Sequence, residues 1–375
     1  MNMPAYPAAR EAAQIVEDYF ARCRESVRDR EGVAPAPEAY AAEAIMEAGF
    51  WASLRREEGY LPKISLAYVP PELIEHAMMF QRPLPLAPQA LARVSPAVER
   101  PGIHLGVWHN GHDFHVWGTT RVVPRFCFVL EVIQPGLLVV KYPRRDVYAK
   151  FRNVLVLQGN VIKVIDERDV GEPERSGLLT SLLGISSSKS WVDRGNVLIQ
   201  LAISMRAHGR GGTLLIAQPT STTWRKSFVE PVSYPVFPPF GELTELIAEK
   251  PDPNDHRMQE RFRRTIDAVA GLTAVDGAAV MNARFELLAF GGKIRARGNE
   301  EVEQIILTEP IRGNVPEIVH VTRLGGTRHI SAAQFVSDER DAVALVASQD
   351  GRFTVFAWSP SEGIVHAHRV DALLL

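Results

Sequence analysis

Residues 197–217 read VLIQLAISMRAHGRGGTLLIA, and the period of their apolar positions changes partway along. Val197, Leu198, Leu201, Ala202 and Met205 recur at three-to-four spacing, a helical stripe that stops at Gly209. Thr213-Leu-Leu-Ile-Ala217 follows at once as a short apolar run, the texture of a buried strand. A helix that leads directly into a buried strand predicts a sheet with helices packed on it. The residues beyond repeat that alternation. A Pro-rich insert (VEPVSYPVFPPF, 229–240) precedes a helix opened by Asn254 or Asp255, either of which can cap free amides. Met258, Phe262, Ile266 and Val269 form its apolar face, and Gly271 ends it. Strands are expected at Ala274–Met281, Phe285–Phe290, Ala342–Ala347 and Phe353–Trp358. The second half is therefore read as a mixed sheet flanked by helices.

Upstream the texture differs. Ile15, Val16, Tyr19, Phe20, Cys23 and Val27 define one helical stripe, which the segment Gly32–Pro37 interrupts because proline removes a donor and clashes with the preceding turn. Ile45, Met46, Phe50 and Leu54 define the buried side of a second helix. From about Leu61 to Asp166 the runs are short, β-branched and aromatic, as in Arg125–Ile133, Leu137–Tyr142 and Val154–Leu157, and read as strands. Residues 167–191 are rich in Asp, Glu, Gly and Ser, which marks a boundary. The expected architecture is α/β (α+β) in two domains. Residues 1–190 form the first, helical over 1–60 and strand-rich over 61–190, and residues 191–375 form the second.

Composition narrows the function. A chain of 375 residues with 46% hydrophobic and 23% charged residues forms cores and is not disordered over most of its length. Forty-two basic against 44 acidic residues give a net charge of -2, which leaves no excess positive charge to hold a nucleic-acid polymer. Two cysteines, Cys23 and Cys127, exclude a disulfide framework and a cysteine-rich zinc site. The opening MNMPAYPAAREAAQ lacks a basic-then-apolar signal, and charges or Gly/Pro interrupt every apolar run well short of ~18 residues. A cytoplasmic enzyme or sensor without membrane partners is expected.

Two motifs in the second half bear on chemistry. Asp276-Gly277-Ala278 lies inside TAVDGAAVM. Asp-Gly is a strong hairpin signal. Against a hairpin here, the flanking apolar runs are short and a better turn, Asn282-Ala283-Arg284, follows. A carboxylate beside two small residues also lets a ligand or metal approach the backbone closely. Gly325-Gly326-Thr327-Arg328-His329 gathers glycine amides, a hydroxyl, a guanidinium and an imidazole, which suits an anion. A loop entering a helix with Arg328 solvated fits the same residues.

Together, in this order and spacing, the motifs resemble the nucleotide-cyclising (DAC) domain of the diadenylate cyclase family. The corresponding stretches are DGAAVM, GGTRHISAA, SDERDA and LVASQDG, with Gly209-Arg-Gly-Gly-Thr-Leu-Leu-Ile216 upstream, so the likeness spans roughly residues 195–360. The resemblance implies condensation of two ATP into cyclic di-AMP with release of pyrophosphate. By this likeness Asp276 would be catalytic and would hold a divalent cation, Mg²⁺ or Mn²⁺. Gly277 and Ala278 would let the nucleotide lie against a strand. Gly326, Thr327, Arg328 and His329 would bind the triphosphate, and Ser348 would add a hydroxyl. One domain presents one ATP, so a face-to-face homodimer or larger homo-oligomer is implied. The N-terminal half resembles the probable sensor domain that precedes this cyclase domain in some bacterial proteins, which implies a small-molecule ligand for it.

Ile330 stands where the family has a second arginine, Gln349 where it has a glutamate, and the stretch from His329 to Asp341 is one residue longer. These departures bear on turnover more than on binding, because reaction geometry tolerates about 1 Å of error poorly. A nucleotide-binding module without turnover is the alternative. Elsewhere, His109, His112, Asp113 and His115 cluster within seven residues and are good ligand types for zinc or iron, but no distant partner motif accompanies them. The segment Lys141–Lys150 interleaves four basic residues with two tyrosines and is read as a solvated surface. Both cysteines are read as packed, and His366 and His368 have no motif around them.

Overall fold

The computed structural model describes residues 5–26, 32–57, 59–100, 102–111, 113–143, 151–165, 194–219, 221–249, 255–297 and 301–375. The chain divides into two compact units, Met1–Ile165 with Leu375, and Asp166–Leu374. The expected boundary at 190/191 and the Asp/Glu/Gly/Ser-rich segment lie outside the described residues, as do Val27, His112, Asn254 and residues 144–150. Mixed sheets with helices occur in both units, the α+β architecture that the residue periods predict. Among the described residues no helix is long and apolar enough to cross a membrane.

The first unit opens with α1 (Pro7–Glu25) and α2 (Ala39–Ser53). Its sheet is built from β1 (Ile64–Tyr68), β2 (Met78–Pro85), β3 (His104–His109), β4 (Phe114–Thr120), β5 (Val129–Gln134), β6 (Leu137–Pro143), β7 (Phe151–Gln158) and β8 (Val161–Val164), with α3 (Pro88–Val94) after β2. The strand order is β2-β4-β3-β1-β5-β6-β7-β8. Only β1–β3 is a parallel pair; the other pairs are antiparallel. Val16, Phe20, Ile45 and Met46 bury their side chains against Leu66, Phe128, Leu130 and Leu138. Leu54, expected on the buried stripe of α2, is exposed instead, because the helix stops at Ser53 and Leu54 is its C-cap. Cys23 is half-buried, and Cys127 is fully buried just ahead of β5, where burial drives its thiol pKa upward. Lys141 pairs with Glu131 and sits over the Phe151 ring, so it is not the solvated cation read from its sequence context; burial lowers its pKa to about 8.

The second unit is a three-layer sandwich. Its strands are β9 (Gly212–Ala217), β10 (Tyr234–Phe240), β11 (Ala278–Asn282), β12 (Leu287–Gly292), β13 (Gln304–Thr308), β14 (Glu317–His320), β15 (Val343–Ala347), β16 (Phe353–Ser359) and β17 (Ile364–Arg369). Their order is β10-β12-β11-β9-β15-β16-β17-β13-β14. Leu214 and Ile216 face the core formed with α4 (Arg194–Ala207), α5 (Glu242–Ala248) and α6 (His256–Leu272). Leu215 and Ala217 face the opposite core with α7 (Thr327–Asp338), through Ala332, Ala333, Phe335 and Val336. A strand covered on both faces has no polar side, which is why β9 reads as an unbroken apolar run. Asp255 caps α6, accepting from the Arg257 and Met258 amides at 3.0 and 3.3 Å.

Some segments depart from their readings: the strand expected over Ala274–Met281 begins only at Ala278, because 273–274 turn and 275–277 bend. The Pro-rich insert contains β10, an edge strand antiparallel to β12. An edge strand needs hydrogen bonds on one side only, so prolines are admissible there and hide the strand from propensity.

Candidate functional site

Strand register decides the site. Thr213 of β9 pairs with Ala278 of β11 on one side and with Val346 of β15 on the other. β9 and β11 run parallel and β15 antiparallel, so Gly211 and Asp276 each lie two residues before that row and Ser348 two residues after it. All three therefore leave the sheet at the same edge, with Asp276 and Ser348 two strand spacings apart, on the order of 10 Å. Asp276 is exposed in the bend before β11, and the hairpin of this region is formed instead at Asn282, whose Oδ1 accepts from the Arg284 and Glu286 amides.

Arg328 joins that edge from the other motif. A Cβ built on Gly211 would lie 3.0 Å from Arg328 Nη1, 3.3 Å from its Cζ and 3.2 Å from the Ala347 carbonyl oxygen. The guanidinium thus lies over the glycine turn between Asp276 and Ser348. Among the described residues it has no carboxylate partner. Gly326 is the N-cap of α7 and Thr327 its first residue; the helix opens without a side-chain cap, which leaves amides at its head for an outside acceptor.

His329 is placed differently from its neighbours. Its ring is 3% exposed, packs edge-on to Phe356 at 6.1 Å, and fills the space that a side chain on Gly325 would need, 2.7 Å from Nδ1. Burial lowers its pKa to about 4, assisted by Arg369, Arg352 and Arg328 and opposed by Asp350. The neutral ring braces the glycine loop from beneath and brings no positive charge. His104 and His368 are also buried and lowered to about 4, chiefly by desolvation, with Nδ1 hydrogen-bonded to Ser65 at 2.7 Å and to Thr308 at 2.6 Å.

For each of these rings the folded state prefers the neutral form. The stability it provides is complete above the unfolded value of 6.5 and is lost as pH falls from there toward about 4. We expect the urea midpoint to drop between pH 6.5 and 5, as the unfolding free energy falls by up to about 1.4 kcal/mol per histidine per pH unit. A midpoint unchanged over that interval would contradict the burial of these rings.

Beyond Ala347 the chain turns tightly. Ser348 Oγ donates to Asp350 Oδ1, and Arg206 braces the turn with Nε on the Gly351 carbonyl at 2.9 Å. Burial alone would raise the Asp350 pKa, but the Ser348 hydroxyl, the Arg352 amide and the Arg352 guanidinium, 3.3 Å away, hold it below its ordinary value. Gln349 points its Nε2 at the Arg210 carbonyl at 3.4 Å, a bond that a carboxylate could not donate.

Two residues at this edge have no sequence signal. His208 Nδ1 accepts the Arg210 amide at 3.1 Å, which puts the neutral ring's proton on Nε2, 3.3 Å from Thr273 Oγ1. Thr273 Oγ1 in turn donates to the Ala270 carbonyl at 2.6 Å. Desolvation, then Arg210 and Arg328, lower the His208 pKa. Its role rests on a contact with Thr273 that no local pattern announces. Tyr234 of β10 stacks on Phe290 at 4.8 Å and stays half exposed. A Cβ on Gly291 would lie 2.8 Å from the Tyr234 ring and 3.5 Å from the Asp276 carbonyl oxygen, so this ring borders the Asp276 bend.

In the first unit, β3 and β4 pair His109 with Phe114 and Trp108 with His115. Among the described residues no group of three or more His, Cys, Asp or Glu could hold a metal ion, and His112 lies outside them. His368 proves to be a buried, hydrogen-bonded histidine, and His366 pairs with Glu362.

Comparison with known families identifies one region. Residues 31–121 match the model of DACNV, a probable sensor domain. The match covers α2, α3 and β1–β4, and it bears out the sensor reading of the N-terminal half over a narrower span. No curated protein matches the chain.

Proposed function

We propose that the second unit binds ATP at the β11-β9-β15 edge and condenses two ATP into cyclic di-AMP, under control of the sensor-like first unit. The observation that carries this reading is the meeting of Asp276, the Gly211 turn, Arg328 and Ser348 at one sheet edge. In this reading the triphosphate lies between the Arg328 guanidinium and the head of α7, where forked donors and free amides match phosphate oxygens. Tyr234 offers the adenine an exposed ring, an interaction of about 1–3 kcal/mol. Gly277, whose missing side chain faces the β12 backbone, and the buried Ala278 set the bend that carries Asp276 and do not border the nucleotide.

A divalent cation fits Asp276 when phosphate oxygens complete its shell, the usual way Mg²⁺ is held. Asp276 would hold such an ion, which would lower the pKa of the attacking hydroxyl and offset charge on the α-phosphate. Each 3′-hydroxyl oxygen forms a bond to the α-phosphorus of the other nucleotide and gives up its proton to solvent. The bond from that phosphorus to the bridging oxygen breaks, and pyrophosphate leaves. The chain's contribution is in-line positioning and charge neutralisation. Two units must face each other about a two-fold axis for both bonds to form.

A second reading, nucleotide binding without turnover, is favoured by the Gln349–Arg210 bond and by Ile330, whose side chain lies exposed where the family has a charge. Incubation of the protein with ATP and Mn²⁺ or Mg²⁺, followed by mass spectrometry, separates them. Cyclic di-AMP supports the cyclase. ATP binding without product supports the binding module, and failure to bind nucleotide under any metal condition rejects both. Arg328→Ala is expected to weaken ATP binding by about 1.5–3 kcal/mol, roughly 10- to 150-fold, as a charge-assisted contact is lost. An unchanged dissociation constant in calorimetry would show that Arg328 does not hold phosphate.

A further inference from the structure

The first unit contains a cavity of about 920 Å³ bounded by α2, the end of β2, the start of α3 and the β3–β4 turn. Its polar lining is Glu47, Asn110, Asp113 and His115, and Phe114 supplies an aromatic wall. Every lining residue falls between 44 and 115, inside the segment matched by the probable sensor domain. The volume is that of a small-molecule site.

Four features of the lining select one class of ligand. Among the described lining residues both charged ones are carboxylates and none is Lys or Arg, so a phosphate ester or nucleotide would meet no countercharge from them. The Tyr6 amide donates to Glu47 Oε1 at 3.1 Å, which holds this carboxylate in place and leaves Oε2 without a protein partner among the described residues. Pro83, Pro85 and Pro88 form part of the wall, where the register of β2 on β4 shifts between Met79 and Leu84. Prolines have no N–H, so these three residues offer the cavity no backbone donor; the Pro85 carbonyl itself accepts the Ala87 amide at 2.8 Å. Finally, His115 Nδ1 is buried without a partner, and Phe114 adds to the lining an aromatic ring, a group that attracts cations.

We infer that this cavity is the ligand site of the sensor-like unit and that its ligand is a small organic cation, a protonated amine on an apolar body. The ammonium group sits between Glu47 and Asp113, and the body lies along Leu86, Phe114 and the prolines. This extends the sensor part of the reading above and does not depend on its nucleotide part.

The test is calorimetric titration of the full chain with phenethylamine, tyramine, putrescine and agmatine, each to 10-millimolar order, with 3-phenylpropionate as the isosteric anion. At least one amine should bind at one site per chain, and 3-phenylpropionate should not. Asp113→Asn, at an exposed position, should weaken that amine about tenfold through loss of a charged contact. Glu47→Gln should do the same while keeping an oxygen for the Tyr6 amide. No binding by any of the four amines, equal binding of the anion, or amine affinity indifferent to both substitutions would overturn the inference. ATP titration of the same samples tells the two proposals apart. Amine binding lost with ATP binding retained refutes only the sensor ligand, and the reverse refutes only the nucleotide site.

Discussion

Asp276→Asn is expected to reduce cyclic di-AMP formation by roughly 10³-fold while leaving the fold as stable as the parent. The substitution removes one negative charge from an exposed bend and preserves shape, and surface changes of that kind shift stability by no more than about 0.5 kcal/mol. Chemistry is affected far more. Loss of a single preorganised electrostatic contact at a reacting group typically costs about 10²–10³ in rate, and Asp276 is the carboxylate at this edge not already tied to a neighbour in the way Asp350 is to Ser348 and Arg352. Product quantified by mass spectrometry on samples with matched thermal unfolding checks this. Undiminished product from the variant would remove Asp276 from the reaction.

Gly277→Ala, one residue away, should show the opposite signature: a fall in unfolding free energy of about 3 kcal/mol before any question of activity arises. Gly277 has φ of +108°, which L side chains rarely adopt, and a Cβ there would lie 2.5 Å from the Gly291 carbonyl carbon, 2.7 Å from its oxygen and 2.8 Å from the Gly292 oxygen. Those atoms are backbone of the neighbouring strand β12 and cannot rotate away as a side chain could. Since domains are stable by only about 5–15 kcal/mol, the loss should be plain in urea denaturation. A variant within 1 kcal/mol of the parent, an amount near the noise of such extrapolations, would mean that the β11–β12 approach is looser than described. The adjacent pair thus separates a chemical role from a packing role by experiment.

Much of the second unit can be read from local periods. The stripe from Val197 to Met205 and the run from Thr213 to Ala217 became α4 and β9, because a buried strand and the buried stripe of a helix each carry their period in a few residues. The Asn282 turn was likewise legible, since its side chain closes the turn on its own backbone. The motifs also flagged the residues that converge. Position, however, did not follow from type. His329 sits in the same five-residue motif as Arg328, yet α7 turns its ring into the core against Phe356 while Arg328 reaches Gly211. β10 was hidden by its prolines, and with it the Tyr234 ring beside Asp276.

By itself the sequence determined many of the elements, the two-unit α+β class and the identity of the charged and hydroxyl groups near Asp276 and Arg328. These depend on interactions within a few residues, which any window of the chain displays. Only the tertiary structure decided that Gly211, Asp276, Arg328 and Ser348 meet, because their meeting follows from the pairing of β9 with β11 on one side and β15 on the other. Such pairings join segments more than sixty residues apart and are fixed by burial of both sheet faces, a property of the whole unit that no single stretch contains.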